Sequence, residues 1–242
     1  MRIIADTHTH TIMSGHAHST LLENLAAAKN KGLRFLATTD HTGLMPGAPN
    51  ATYFSCMRAT MPEKYDDVYL LRGAEVNVLD ENGRLDLVDA CLKKLDWVIA
   101  SIHGIVTQPM DERRHTELWL SVAKNPHVDV IGHCGEEQFS FDYERVVKAF
   151  AENGKIVEIN ASSAKSRPSS QKNCFKIARL CKKYGVPLVL SSDAHFAGDV
   201  GNVAAAIRLV EEAGIPEELI LNADEKRFVA HLQKITNRVF DV

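Results

Sequence analysis

The chain has 242 residues, a formal net charge of −3 and 45% hydrophobic side chains, enough apolar material for a substantial core, which excludes a disordered chain. That charge, with a pI near 6.4, gives no electrostatic basis for binding nucleic acid or an anionic membrane surface. No apolar run is long enough to span a bilayer, no leader precedes Asp6, and the five scattered cysteines form no Cys-x-x-Cys. We therefore expect a cytoplasmic protein with reduced thiols.

Ile3–Ala5 reads as a buried strand that runs directly into Asp6, His8 and His10. Residues two apart on an extended backbone face the same way, so these three are expected on one face at the strand's exit. His16 follows after a short loop and can return to the same mouth. Ser19 is the expected N-cap of a helix from Thr20 to Lys31, closed by Gly32. Leu33–Thr38 is the second strand and ends in Thr39-Asp40-His41. The loop Thr42–Tyr53 is long for a compact domain and is a candidate lid, with a helix after it near Phe54–Met61. Val68–Leu71 leads into Gly73-Ala74-Glu75-Val76-Asn77, and Leu95–Ala100 into Ser101-Ile102-His103. Val128–Ile131 ends in Gly132-His133, Lys155–Ile159 in Asn160-Ala161-Ser162-Ser163, and Val186–Leu190 in Ser191-Ser192-Asp193-Ala194-His195. Helices are expected at Tyr143–Asn153, Ser170–Tyr184 and Val200–Gly214. A docking helix over Asp224–Phe240 would carry Phe228, Leu232 and Ile235 on one stripe.

Strand runs alternating with helical patterns indicate an α/β fold on a parallel sheet. No linker or low-complexity segment interrupts it, so residues 1–242 are expected to form a single domain. An open sheet would spread the strand ends along its width, one inter-strand gap of about 4.8 Å at a time. A barrel collects them at one mouth, where catalytic groups gather, and the polar strand ends favour the barrel.

Those ends supply His8, His10, His16, His41, Glu75, His103, His133, Asp193 and His195, seven of the chain's 11 histidines with two acids. Any one of them is explained as a satisfied polar cap. Together they leave many lone pairs unpaired in one mouth, unless metal ions take them. Imidazole and carboxylate without thiolate suit Zn2+, Mn2+ or Fe2+, and nine ligands are enough for two or three ions.

On these motifs, from Asp-x-His-x-His at Asp6–His10 through Thr-Asp-His at Thr39–His41 to Asp193-Ala194-His195, the whole chain resembles the PHP (polymerase and histidinol phosphatase) superfamily. Within it, the chain more closely resembles the YcdX-like bacterial phosphatase group. The resemblance implies a distorted (β/α)7 barrel with three metals, usually zinc. It places His8, His10, Glu75 and Asp193 on the first metal. It places Glu75, His103 and His133 on the second, with Glu75 as the bridge, and His16, His41 and His195 on the third. Cys134 departs from relatives that often carry Pro after this histidine.

Asp6 and Asp40 are expected to orient ligand imidazoles rather than to bind metal. Arg167, beside Lys165, Ser162 and Ser163, is either part of a wet loop or a phosphate grip suited to its planar fork. Asp111-Glu112-Arg113-Arg114-His115 reads as an exposed face.

The leading functional reading is a phosphoesterase acting on a small phosphorylated substrate through metal-activated hydroxide, with Glu75, Asp193 and Arg167 as catalytic candidates. No Gly-x-Ser-x-Gly elbow or phosphate-cradling Gly-x-x-x-x-Gly-Lys competes with it. A nuclease and a non-catalytic metal-binding module remain the alternatives, and the sequence is compatible with a homo-oligomer.

Overall fold

The protein is described here from a computed structural model covering residues 1–241. Its strands are β1 (Ala5–Asp6), β2 (Phe35–Thr38), β3 (Lys64–Tyr65), β4 (Val68–Asn77), β5 (Trp97–Ser101), β6 (Val130–Ile131), β7 (Ile156–Asn160) and β8 (Leu188–Ser191). Seven of them pair in parallel in the order β1-β2-β4-β5-β6-β7-β8, while β3 folds back antiparallel on the start of β4. The helices are α1 (Leu21–Asn30), α2 (Ala51–Thr60), α3 (Asp89–Leu92), α4 (Glu112–Ala123), α5 (Tyr143–Glu152), α6 (Ser163–Ser166), α7 (Gln171–Tyr184), α8 (Ala204–Glu212) and α9 (Glu225–Thr236). The result is a nearly closed α/β barrel with helices around it.

The inward face of each strand changes character along its length, and this is what separates core from site. In β4, Tyr69 and Leu71 lie in the barrel interior, whereas Glu75 and Asn77 follow at the C-terminal end. Ile156 gives way to Glu158 and Asn160 in β7, and Val189 to Ser191 in β8. The outward positions, such as Leu70, Ala74 and Val76, stay apolar and pack in the layer beneath the helices. Gly73 sits where β4 exchanges its β2 partner for β5. A Cβ there would lie 2.5 Å from the Trp97 carbonyl oxygen, so the handover requires glycine.

The apolar end of the barrel is plugged by the C-terminal tail. Phe228, Val229 and Leu232 of α9, with Phe240, pack against Phe35, Tyr69 and Trp97. The ring of Phe35 meets Phe228 edge-on at 5.2 Å and stacks on Tyr69 at the same distance. The expected stripe holds for Phe228 and Leu232, but Ile235 is exposed. The helix ends at Thr236 because Asn237 turns left-handed with φ 57°.

Between β8 and β1 the strands do not form a continuous ladder, and one side chain fills the gap. The Asn222 amide nitrogen donates to the carbonyls of Ala5 and Leu190, both at 2.8 Å, and its oxygen accepts from Leu190 N at 3.0 Å. Its own carbonyl accepts from Ile4 N at 2.9 Å. Asn222 thus takes the place of a strand residue at the seam, and nothing in the sequence pattern announces it.

Other departures are local. The N-cap of α1 is Thr20, which forms a reciprocal capping box with Glu23. Ser19 instead accepts from Ala197 N at 2.8 Å and ties two mouth loops together. The segment near Asp111 begins α4, which Asp111 caps. Its first residues are exposed as expected, but His115 is buried and its Nε2 accepts from Met110 N. The expected Val200–Gly214 helix is shorter, because α8 starts only at Ala204.

Candidate metal centre

Every one of the nine strand-end candidates arrives at the same mouth. His8 and His10 follow β1, His41 follows β2, Glu75 lies in β4, His103 follows β5, His133 follows β6, and Asp193 and His195 follow β8. His16 is delivered by a 3-10 turn, Ile12–Ser14, whose cap Gly15 is left-handed. That loop is pinned from above, since a Cβ on Gly15 would come within 2.7 Å of Gly47 Cα. The seven imidazoles form a continuous chain of neighbouring rings, with His10 lying 4.2 Å from His195 and 4.4 Å from His41.

The spacings discriminate between metal site and hydrogen-bonded cluster. Two ligands on one tetrahedral zinc, with bonds near 2.0–2.2 Å, stand about 3.3 Å apart. His8 Nε2 lies 3.3 Å from Glu75 Oε2 and 3.6 Å from Asp193 Oδ1; His10 Nε2 lies 3.5 Å and 3.2 Å from the same oxygens. Four edges of one tetrahedron are therefore present. The other Glu75 oxygen, Oε1, lies 3.4 Å from His103 Nε2 and 2.9 Å from His133 Nε2. His195 Nε2 stands 3.0 Å from His16 Nε2.

Hydrogen bonds do not account for this packing. His8 Nε2, His10 Nε2, His41 Nδ1 and Glu75 Oε2 are all buried without a well-directed hydrogen bond, although His41 Nδ1 stands 2.8 Å from Glu75 Oε2, a costly state for polar atoms unless a ligand takes their lone pairs. Triads of donor atoms able to hold an ion are His8-His10-Glu75, His41-Glu75-His103 and His10-His41-His195. The first falls within the set expected for the first metal. The other two exchange single members, His41 standing in for His133 and His10 for His16. The site residues thus fit divalent metal ions.

Electrostatics agree with a cation sink. Burial opposes the charge on Glu75 and Asp193, but the surrounding imidazoles, and for Asp193 also Arg167, outweigh it and hold both carboxyls well below their usual range. Burial, reinforced by neighbouring imidazoles, pushes His10 well below its usual value, which keeps its lone pair free.

A second layer fixes the ligands. Glu158 accepts from His8 Nδ1 at 2.6 Å, from Ser191 Oγ at 2.5 Å and from His133 N at 2.8 Å. Asn77 Oδ1 accepts from His103 Nδ1 at 2.7 Å. Sequence reasoning missed Glu158 and Asn77, although an isolated acid inside the apolar run Ile156-Val157-Glu158-Ile159 was a visible signal. Asp40 acts on His10 only through Ser14, whose hydroxyl donates to Asp40 at 2.7 Å and lies 3.0 Å from His10 Nδ1.

Asp6 does something else than expected. It does not share the metal-facing side with His8 and His10, and it touches no imidazole. It accepts from Ser192 N, Ser192 Oγ and Gly201 N, holding the turn in which Asp193 adopts a left-handed φ of 55°. The face switches because the chain leaves the β ladder after Asp6.

The mouth opens into a cleft of about 910 Å³ that Arg167 also lines. Its Nε donates to Glu136 Oε1 at 3.0 Å, Nη2 lies 3.5 Å from Asp193 Oδ2, and Nη1 reaches Ser163 and Ser166. Arg167 is thus no member of a wet loop, and its fork already holds the outer oxygen of Asp193.

Comparison with known proteins places the chain in a family. A family model for the PHP domain matches residues 6–162, and one described as PHP-associated matches residues 171–234. The chain belongs to the PHP family. A probable phosphatase of Thermoanaerobacter sp. (strain X514) is 44% identical over 99% of this chain and 98% of its own. Among solved folds of the family's kind, the Lactococcus lactis histidinol phosphate phosphatase, complexed with zinc, L-histidinol and phosphate, superposes with a TM-score of 0.60 at 18% identity, covering 89% of this chain and 95% of that one. A chain from the crystal structures of YwqE from Bacillus subtilis and CpsB from Streptococcus pneumoniae, described as metal-dependent tyrosine phosphatases, gives 0.56 at 15% identity, covering 98% of this chain and 96% of that one. The PHP-associated match contributes β8, with Asp193 and His195 at its end, and the α9 plug. The mouth is therefore assembled from both matched segments.

Proposed function

We propose that this PHP protein is a metal-dependent phosphoesterase that hydrolyses small phosphate monoesters at a trinuclear site, with zinc as the leading candidate metal. The observation that carries the reading is the set of orphaned, buried lone-pair atoms, with His8 Nε2 and His10 Nε2 both at tetrahedral-edge spacing from Glu75 Oε2, opening into a cleft with a guanidinium on its wall. The naming of its 44%-identical relative as a probable phosphatase supports the choice of reaction.

Divalent ions at such a centre supply charge neutralisation for a phosphoryl group and activate water near neutral pH. The chain's own residues arrange the rest. Glu75 would hold metal through both of its oxygens, because Oε2 faces His8, His10 and His41 while Oε1 faces His103 and His133. Glu158 fixes the His8 tautomer so that Nε2 points into the mouth. Arg167 steadies Asp193 and stands where a phosphoryl oxygen would enter, so its charge serves both.

The test is elemental analysis of protein purified without added metal, followed by turnover of p-nitrophenyl phosphate beside a bis-aryl phosphodiester and single-stranded DNA. Two to three ions per chain and selective monoester hydrolysis are expected. Preference for the diester or DNA would make the protein a nuclease, and full metal loading without turnover would make it a binding module.

A further inference from the structure

We propose that the exposed half of the cleft is a second anion subsite, built by Lys165 of α6 with Arg208 and the first turn of α8. It takes a phosphate or carboxylate carried on the substrate's leaving group. This rests on the phosphatase reading and narrows it to substrates with two anionic groups.

The cleft is far larger than a phosphoryl group requires. At about 910 Å³ it falls in the range of sites that enclose whole small molecules, roughly 300–1,000 Å³. Its deep end is taken by the metal-facing imidazoles and Asp193, so the remaining space belongs to the leaving group.

What lines that space is cationic. Lys165 and Arg208 both border the cleft and, unlike Arg167 with its two carboxylate partners, neither forms an ion pair among the described residues. Asp199, also on the lining, pairs with neither of them. Two cations against one acid leave this wall net positive. Charges left uncompensated around a cavity attract and orient a counter-charged ligand.

The α8 backbone adds to the field. This helix of nine residues has no side-chain hydrogen bond at its N-cap, Val203, and no acid in its first turn. Its first N–H groups and the positive end of its dipole therefore await an acceptor. Ala204 and Ala205 line the cleft, and Arg208 follows them at helical spacings of four and three, on the same face. Their small side chains leave room for an anion to approach that turn.

The experiment compares kcat/KM of the metal-loaded protein on glucose monophosphate, fructose bisphosphate and phosphogluconate, with p-nitrophenyl phosphate as the reference. Wild type should prefer at least one doubly anionic substrate over the monophosphate tenfold or more. Which one it prefers tells phosphate from carboxylate. In Arg208→Gln with Lys165→Gln the ratio should fall at least tenfold, chiefly through KM. A wild-type ratio near one, or a ratio unchanged in the double variant, overturns the subsite while p-nitrophenyl phosphate turnover leaves the phosphatase reading standing. Should wild type hydrolyse none of the four, the phosphatase reading falls. Calorimetric titration with fructose bisphosphate then decides the subsite: tenfold weaker binding in the double variant supports it, and equal binding overturns it.

Discussion

At the scale of single residues, Glu75 is the one whose two oxygens face separate groups of imidazoles, and its charge matters more than its shape. Glu75→Gln should lower metal occupancy and reduce turnover by at least ~10²-fold; near-normal activity at equal metal loading would remove Glu75 from the centre. Glu158 works at one remove. Without its charge, His8 Nδ1 keeps a weaker partner, and Glu158→Gln should weaken metal binding by about 10–100-fold, read by competition against a chromogenic chelator. Arg167→Ala should cut kcat/KM by about 10²-fold, with Lys restoring only part, since a point charge cannot reproduce the fork. Metal content separates its two tasks, because loss of an ion in the Ala variant would mean that Arg167 serves only to hold Asp193. The nine strand-end residues were legible in the sequence because strand exits and period-two spacing are local properties. Asp6 was misread because the chain leaves the β ladder directly after it, so period-two spacing does not carry from Asp6 to His8.

At the scale of elements, the weak point of the barrel is the β8–β1 seam, and two features of the C-terminal region govern its integrity. Asn222→Ala leaves the Ala5 carbonyl and both backbone groups of Leu190 without their partner in a fully buried position. A loss of about 2–4 kcal/mol is expected, measurable by urea denaturation of wild type and variant under matched metal conditions. No periodicity could have located this residue, because it acts through its side chain in a segment that is neither helix nor strand of the ladder. The α9 plug carries a pH dependence of its own. His231 packs edge-on to Trp97 with its Nε2 buried and unpartnered, and burial, with Lys234 nearby, pushes it down to about 4. The unfolded chain takes up this proton near pH 6.5 and the folded one only near 4, so stability is full above 6.5 and falls as pH drops through that window. His231→Phe should flatten the decline, by at most about 3 kcal/mol at pH 4. An identical pH profile in the two proteins would show that the plug does not sense this proton.

At the scale of the whole molecule, the proposed metals and the barrel's closure become one problem. Beyond Asn222, the seam is crossed at the mouth by His10 N donating to the Ala194 carbonyl at 2.8 Å and His18 N donating to the His195 carbonyl at 2.8 Å. The same two strand exits carry His8 and His10 on one side and Asp193 and His195 on the other, so an ion shared between them would tie β1 to β8. Without cations, the mouth packs Glu75, Glu158, Asp193, Asp6 and Asp40 into a buried region in which the charge on Glu75, Glu158 and Asp193 leans on the neighbouring imidazoles. Chelation should therefore destabilise the entire fold and open it first at the seam. Two ions each held at a hundred times their dissociation constant contribute about 5 kcal/mol. For a chain of this size that is a fall in Tm of roughly 10–20 °C. Hydrogen exchange should speed up first in the peptides around Ile3–Thr11, Ser191–His195 and Leu219–Ala223, ahead of β4 and β5 at the opposite side of the barrel. Acid should mimic the chelator, because imidazoles must lose their proton to bind metal. A metal-loaded protein whose Tm and seam exchange are both indifferent to chelation would sever this link and leave Asn222 as the closure acting alone.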